Sequence, residues 1–420
     1  MNPSNQWLTA RRLRIHALLL GIALWSVYIW TLSTPGLRDR NSNLKGTDFV
    51  HFYTLGALAN AHDGAHLYDM DVQSALIGQR VSQAAGILYL PLYPPQVSLL
   101  FGPLARLPYA AALAFWWIIS ALLFGICCFA FWQNCPNLGE HGFLALTLAV
   151  AFPPFFNLIA WGQTSALALC CFTLAFLSFN RQREFAAGLA LGMLVFKPQL
   201  GLAAAILFVA MGSWKVVFGA ALSGVAQLSA GVFYYGIDPL QRWLQTLVHA
   251  RSVLVLLEPR PYQTHCLCTF WSMLIPWNSI ATSLYAVTAV AVMIAVGALW
   301  KKGGGVPLSL RFSALLLATV LISPHLTVYD LVVLAPAILL LADWAVEHAC
   351  NRNRIGALLY LVYALPLLGP LARFTHVQLS VIAMVILVLV LWRISRTLGS
   401  ATSGMQSANS FNVAVSAESR

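Results

Sequence analysis

The chain has 420 residues, of which 60% are hydrophobic and 9% charged, and its mean hydropathy is +0.76. Soluble domains carry about 25% charged residues, so a soluble globular enzyme, a disordered chain and a disulfide-stapled secreted module are all excluded. The 24 Lys and Arg against 13 Asp and Glu give a net charge of +11. In so apolar a chain this fits retention of cytoplasmic helix ends better than nucleic-acid binding, because no basic patch interleaves with exposed aromatics.

The first apolar run, Ile15 to Thr34, follows Arg11, Arg12 and Arg14, which predicts a cytoplasmic N-terminus. It is too long for a signal peptide and has no small-residue cleavage site, so it is expected to persist as a helix. Residues 35–108 then form a large outer loop holding five of the 13 acidic residues. Within it, Gly86 to Leu107 is apolar but broken by Pro91, Pro94 and Pro95, which predicts juxtamembrane helices on the surface rather than a crossing. With that choice, the basic turns at Arg181 and Arg183, Lys215, Lys301, Lys302 and Arg311, Arg352 and Arg354, and Arg393 and Arg396 all fall inside. After Tyr109 to Trp132, further helices are expected at 143–159, 164–180, 185–197, 199–213, 216–235, 279–299, 312–325, 328–344, 355–371 and 377–393. The prediction is an all-α, polytopic membrane domain over 1–396 with roughly 11–12 transmembrane helices, a second outer loop at 236–278 and an unstructured cytoplasmic tail at 397–420. No internal repeat supports a transporter-like pseudo-symmetry.

Chemistry requires polar groups that converge on one side, and the outer side has them. Asp48 opens Asp48-Phe49-Val50-His51-Phe52-Tyr53, where Phe49, Phe52, Tyr53 and Gly56 recur at helical spacing and predict an interfacial helix with one apolar face. Asp48 then reads either as an ordinary N-cap or as a general base at the water–membrane boundary. Lys197, between two short apolar helices, reads either as a lysine snorkelling to headgroups or as a phosphate ligand. His325, Tyr329 and Asp330 lie between apolar runs in a stretch that reads as a polar turn with a helix cap, and Gln163, in Trp161-Gly162-Gln163-Thr164, reads by itself as a turn residue. Arg242, Arg251 and Arg260 of the second loop could clamp phosphate or simply be solvated. Cys127-Cys128 and Cys170-Cys171 read as core fillers. His265-Cys266-Leu267-Cys268 lacks zinc spacing, and Gly303-Gly304-Gly305 lacks the Lys-Ser/Thr of a phosphate loop, so neither a metal nor another cofactor is expected.

Taken in order, Asp48-Phe49, Gly64 to Tyr68-Asp69, Tyr93-Pro94-Pro95, Pro103-Leu104-Ala105, Asn157, Gly162-Gln163, Lys197-Pro198-Gln199, Ser323-Pro324-His325 and Tyr329-Asp330 resemble the pattern of glycosyltransferase family 87. The resemblance covers roughly residues 45 to 335 and lies in the order and spacing of the motifs. It implies a GT-C fold and a polyprenyl-phosphate-mannose-dependent mannosyltransferase, working on the outer face of the bacterial inner membrane upon an extracytoplasmic glycan or lipid acceptor. It implies further that Asp48 fills the catalytic position and, more loosely, that Lys197 contacts the lipid phosphate. Gln163, His325, Tyr329, Asp330 and Arg260 are the further candidates for substrate binding. The single Asp48 departs from the acidic pair of many GT-C relatives, so no metal role follows. One carboxylate can take the acceptor's proton, without the paired acids of a glycosidase. The rival expectation is a transporter or flippase of lipid-linked or small polar substrates; it would place charges mid-helix, whereas the acids here lie in loops or at helix ends. A non-catalytic assembly subunit with the same fold is the third.

Overall fold

The computed structural model describes residues 9–250, 260–301 and 305–418, with side chains described as far as residue 398. Arg251, Lys302, Gly303 and Gly304 therefore lie outside the described residues. So do the side chains of the expected tail beyond 398, although the last helix is traced to Glu418.

The chain is all-α and polytopic, as its composition requires. In order, the helices are α1 (Ala10–Leu32), α2 (Phe49–Asn60), α3 (Met70–Arg80), α4 (Gln96–Phe101), α5 (Tyr109–Trp132), α6 (Gly142–Val150), α7 (Pro153–Trp161) and α8 (Ser165–Asn180). There follow α9 (Glu184–Gly192), α10 (Pro198–Ala210), α11 (Trp214–Tyr235), α12 (Asp238–His249), α13 (Leu267–Leu274), α14 (Asn278–Trp300), α15 (Leu308–Ile322), α16 (Ala335–Glu347), α17 (Ala349–Ala364) and α18 (Leu379–Glu418). Among the described residues, seven helical stretches are long and apolar enough to cross a bilayer alone; four shorter apolar helices accompany them. An eighth crossing can be made from the Pro136–Val150 stretch and α7, which meet at 45°. The single helix expected at 143–159 is thus bent, because Pro153 and Pro154 open α7 and a proline nitrogen cannot continue the preceding ladder.

Large apolar side chains stand exposed along α1 (Ile22, Ile29, Trp30), α5 (Ile118, Leu122, Ile126), α11 (Phe218, Leu222, Val225) and α14 (Val287, Val290, Ile294). These are lipid-facing surfaces; in water, apolar patches of this extent are rare. By contrast α15 is buried from Phe312 to Ile322 and forms the axis of the main core.

Two features of the first loop matter for the site. Gly86 to Leu107 contains only α4 and a 3-10 turn, Leu104–Arg106, too short to cross a bilayer. The expectation for α2 is corrected: it has no solvated face, since every residue from Phe49 to Ala59 is buried. At Gly56 an added Cβ would lie 2.3 Å from the Phe101 carbonyl oxygen, so α4 can close over α2 only because that position carries no side chain.

Candidate active site

Four helical segments begin at the same place. The residue before α2 is Asp48, before α8 Thr164, before α10 Lys197, and before the 3-10 run Val328–Leu334 that leads into α16 it is Thr327. Each start carries the positive end of a helix dipole.

The connection between α7 and α8 brings two of these starts together. Gly162 ends α7 in a left-handed conformation, φ 70°, which glycine adopts without steric cost. A Cβ there would lie 2.7 Å from the Phe49 Cβ. This close approach lets the Asp48 amide donate to the Trp161 carbonyl at 3.0 Å and the Trp116 indole donate to the Gly162 carbonyl at 3.0 Å. Gln163 then meets Asp48: its Nε2 donates to Asp48 Oδ2 at 2.5 Å. Its Oε1 accepts from the Tyr93 hydroxyl at 3.4 Å and the Thr164 amide at 3.3 Å.

Asp48 occupies the N-cap position, yet its side chain makes no capping hydrogen bond. The reading of Asp48 as an ordinary cap is therefore corrected. Asp48 is half-buried, and burial raises the pKa of its carboxyl to about 6, with the Gln163 hydrogen bond pulling the other way. Lys197 (downward) and Asp330 (upward) act on it more weakly. A carboxyl at that level is ionised at neutral pH and still basic enough to accept a proton.

Lys197 departs from the first of its two sequence readings. It does not snorkel, since it is 4% exposed, and its charge is already compensated by a salt bridge from Nζ to Asp330 Oδ1. Nζ also donates to Ser165 Oγ at 3.2 Å, and Ser165 in turn donates to Asp330 Oδ1 at 2.5 Å. An ammonium has three donors, so the third is the one left for a ligand. The Tyr329 ring lies beneath it, 5.1 Å from Nζ and 6.0 Å from the Trp161 ring. The expected helix cap is Thr327, and Asp330 sits three residues inside it, where its Oδ2 accepts from the Thr327 amide at 3.4 Å to complete a capping box.

Asp48, Gln163, Lys197, Tyr329 and Asp330 are therefore brought together at one end of the bundle. His325 is half-buried in the turn just before Thr327, where its carbonyl accepts from Ser323 Oγ at 2.8 Å. Arg260 is the exception among the expected site residues. It is exposed ahead of a short turn at Pro261–Gln263, and no described hydrogen bond or ion pair ties it to this group. Arg242 reaches instead to the Ala65 carbonyl at 3.3 Å. Sequence reasoning passed over Ser165 and Tyr89. Ser165 follows Gln163-Thr164 at a helix start, which was its one local signal; Tyr89, which lies over α2, had none.

The family model of glycosyltransferase family 87 matches residues 92–324, more than half of the chain. Gln163, Ser165 and Lys197 fall inside the matched span and Asp48 outside it. No curated protein and no solved structure matches the chain.

Proposed function

The chain belongs to glycosyltransferase family 87, and from that premise we propose that it transfers a hexose, with mannose the expected sugar, from a polyprenyl-phosphate donor to an extracytoplasmic glycan or lipid acceptor. The observation that carries this reading is the Asp48 carboxylate: at a helix start but not engaged in capping, held by a neutral amide, and raised to about 6. In the proposed reaction Asp48 removes the proton of an acceptor hydroxyl as its oxygen attacks the anomeric carbon. The bond from that carbon to the phosphate oxygen breaks, polyprenyl phosphate departs with the electron pair, and the anomeric centre inverts. Gln163 fixes the carboxylate's orientation through the reaction.

The leaving phosphate needs positive potential as its charge develops. Lys197, compensated by Asp330, supplies only part of it, through its third donor. The converging starts of α8, α10 and the Val328 run supply the rest, because the positive ends of their dipoles favour an anion. This reading assigns His325 and Tyr329 to the substrate's surroundings and gives Arg260 no direct contact.

The orientation we propose, with this end facing the periplasm or cell exterior of a bacterial inner membrane, is supported by the distribution of charge. The helices that start at the site end beside basic turns, α8 at Arg181 and Arg183, α10 shortly before Lys215, and α16 shortly before Arg352 and Arg354, as retention of positive charge inside requires. A reporter fused at residue 75 is expected to read outside and one at 182 inside; the reverse at 182 overturns the orientation. The function is tested by incubating purified protein with a panel of labelled polyprenyl-phosphate sugars. Release of one hexose label into acceptor is expected, and retention of every label on its lipid defeats the reading.

A further inference from the structure

His51 lies one turn into α2 from Asp48. It is 4% exposed, and neither of its ring nitrogens has a hydrogen-bond partner. Such a group is an anomaly, since buried polar atoms are nearly always paired and an imidazole left unsatisfied weakens the fold. A phenylalanine would fill the same space between aromatic neighbours without that penalty. Burial lowers the imidazole pKa to about 4, so at neutral pH the ring is uncharged, with one nitrogen a donor and the other an acceptor. Its complement is therefore a neutral group that both donates and accepts, as a hydroxyl does, rather than a phosphate.

What covers His51 ties it to the site. The Tyr89 ring centroid lies 5.1 Å from the imidazole and that of Tyr93 6.2 Å. The Tyr93 hydroxyl donates to Gln163, the residue holding Asp48. The Tyr89 hydroxyl bonds to the carbonyl of Thr47, the residue before Asp48. Both rings belong to residues 86–95, a segment without regular secondary structure. It begins at Gly86, whose φ is 81° and around which an added Cβ would meet nothing within 4 Å.

We propose that His51 is a binding residue for the donor's hexose, its two ring nitrogens pairing with sugar hydroxyls while Tyr89 and Tyr93 present flat apolar faces to the ring. The inference rests on the donor assignment above. It makes His51 a determinant of which hexose is accepted, because a site built to pair a hydroxyl rejects an analogue that lacks it. Ligand entry requires the two tyrosine rings to move off the imidazole, and both sit on a segment that no helical ladder holds.

The test measures binding of polyprenyl-phosphate mannose, its 2-, 3-, 4- and 6-deoxy analogues and bare polyprenyl phosphate to the full chain carrying Asp48→Asn, with and without His51→Phe. With His51 present, at least one deoxy analogue is expected to bind about tenfold more weakly than the parent, the usual scale for one lost buried hydrogen bond. With His51→Phe the parent is expected to weaken by the same factor, and the penalty at that position to vanish. His51→Leu gives the same reading should His51→Phe not fold, and His51→Gln, which keeps a donor and an acceptor, is expected to retain part of the discrimination. An unchanged deoxy profile, or an equal loss of affinity for bare polyprenyl phosphate, overturns the proposal by reducing His51 to packing. If the His51-containing protein does not distinguish sugar-loaded from bare lipid, the donor assignment itself fails, a result that cannot be confused with a profile His51 leaves untouched.

Discussion

Asp48 and Asp330 sit at starts of neighbouring helical segments and have been given opposite work. Asp330 is buried and bound by a lysine, a serine and a backbone amide, so its charge serves the architecture by holding α8, α10 and the Val328 run together. Asp48 keeps some accessible surface and has one side-chain partner in the described network, the Gln163 amide, which orients it without neutralising it. Identical side chains in like local settings thus differ in whether a cation is within bonding distance. Under the proposed mechanism, it is the carboxylate left without a salt bridge that serves as the base.

The sharpest way to break this contrast is Asp48→Asn, which keeps shape and hydrogen bonding but not basicity. Sugar transfer is expected to fall between about 10²- and 10⁴-fold, with thermal stability unchanged or raised, since a desolvated charge has been removed. Substantial activity in that variant, assayed with labelled donor, removes Asp48 from the mechanism. Lys197→Met should instead act first on the fold: stranding a buried carboxylate costs about 3–5 kcal/mol, read as a lowered melting temperature in detergent. Adding Asp330→Asn should recover most of that stability but not the donor KM. If Lys197→Met melts normally, the two aspartates are not as different as described.

Gln163 separates the regions more finely. Its N–H favours the ionised form of Asp48, so Gln163→Leu should raise the carboxyl above about 6. A base must be deprotonated to act, so activity is lost as pH falls through its pKa, and the acid limb of kcat/KM should move to higher pH in this variant. A limb that stays in place means that another group titrates. The smallest effect is expected for Gly162→Ala, which forces a side chain into a left-handed position at about 1–2 kcal/mol and presses on Phe49. Its kcat should drop more than its stability suggests, because the displaced turn carries Gln163; equal stability and unchanged kcat would show that the turn does not set the Asp48 geometry.

Much of this was legible in the residue order. Hydropathy fixed the class, and prolines and glycines marked most helix limits. Asp48, Gln163, Lys197 and Asp330 stood out because polar residues beside long apolar runs are few. The expected crossing at 143–159 failed only in its straightness, where Pro153 and Pro154 were a visible warning. The pairings were not legible. Gln163 meets Asp48 across 115 positions and Lys197 meets Asp330 across 133, and no local period encodes such contacts. Without them Asp48 read equally as a cap or a base, and Lys197 as a snorkelling lysine or a phosphate ligand. His51 carried no signal at all, since an orphaned imidazole is recognisable only once its neighbours are known.

Composition and periodicity by themselves determined that this chain lives in a bilayer as helices and that its polar residues gather at helix ends, because transfer of apolar side chains and backbone pairing in lipid are properties of each segment alone. Tertiary structure alone decided which carboxylate is neutralised and which stays available. That choice depends on a few ångströms between side chains from separate helices, and on the low polarity around them, which makes each charge sensitive to the nearest partner.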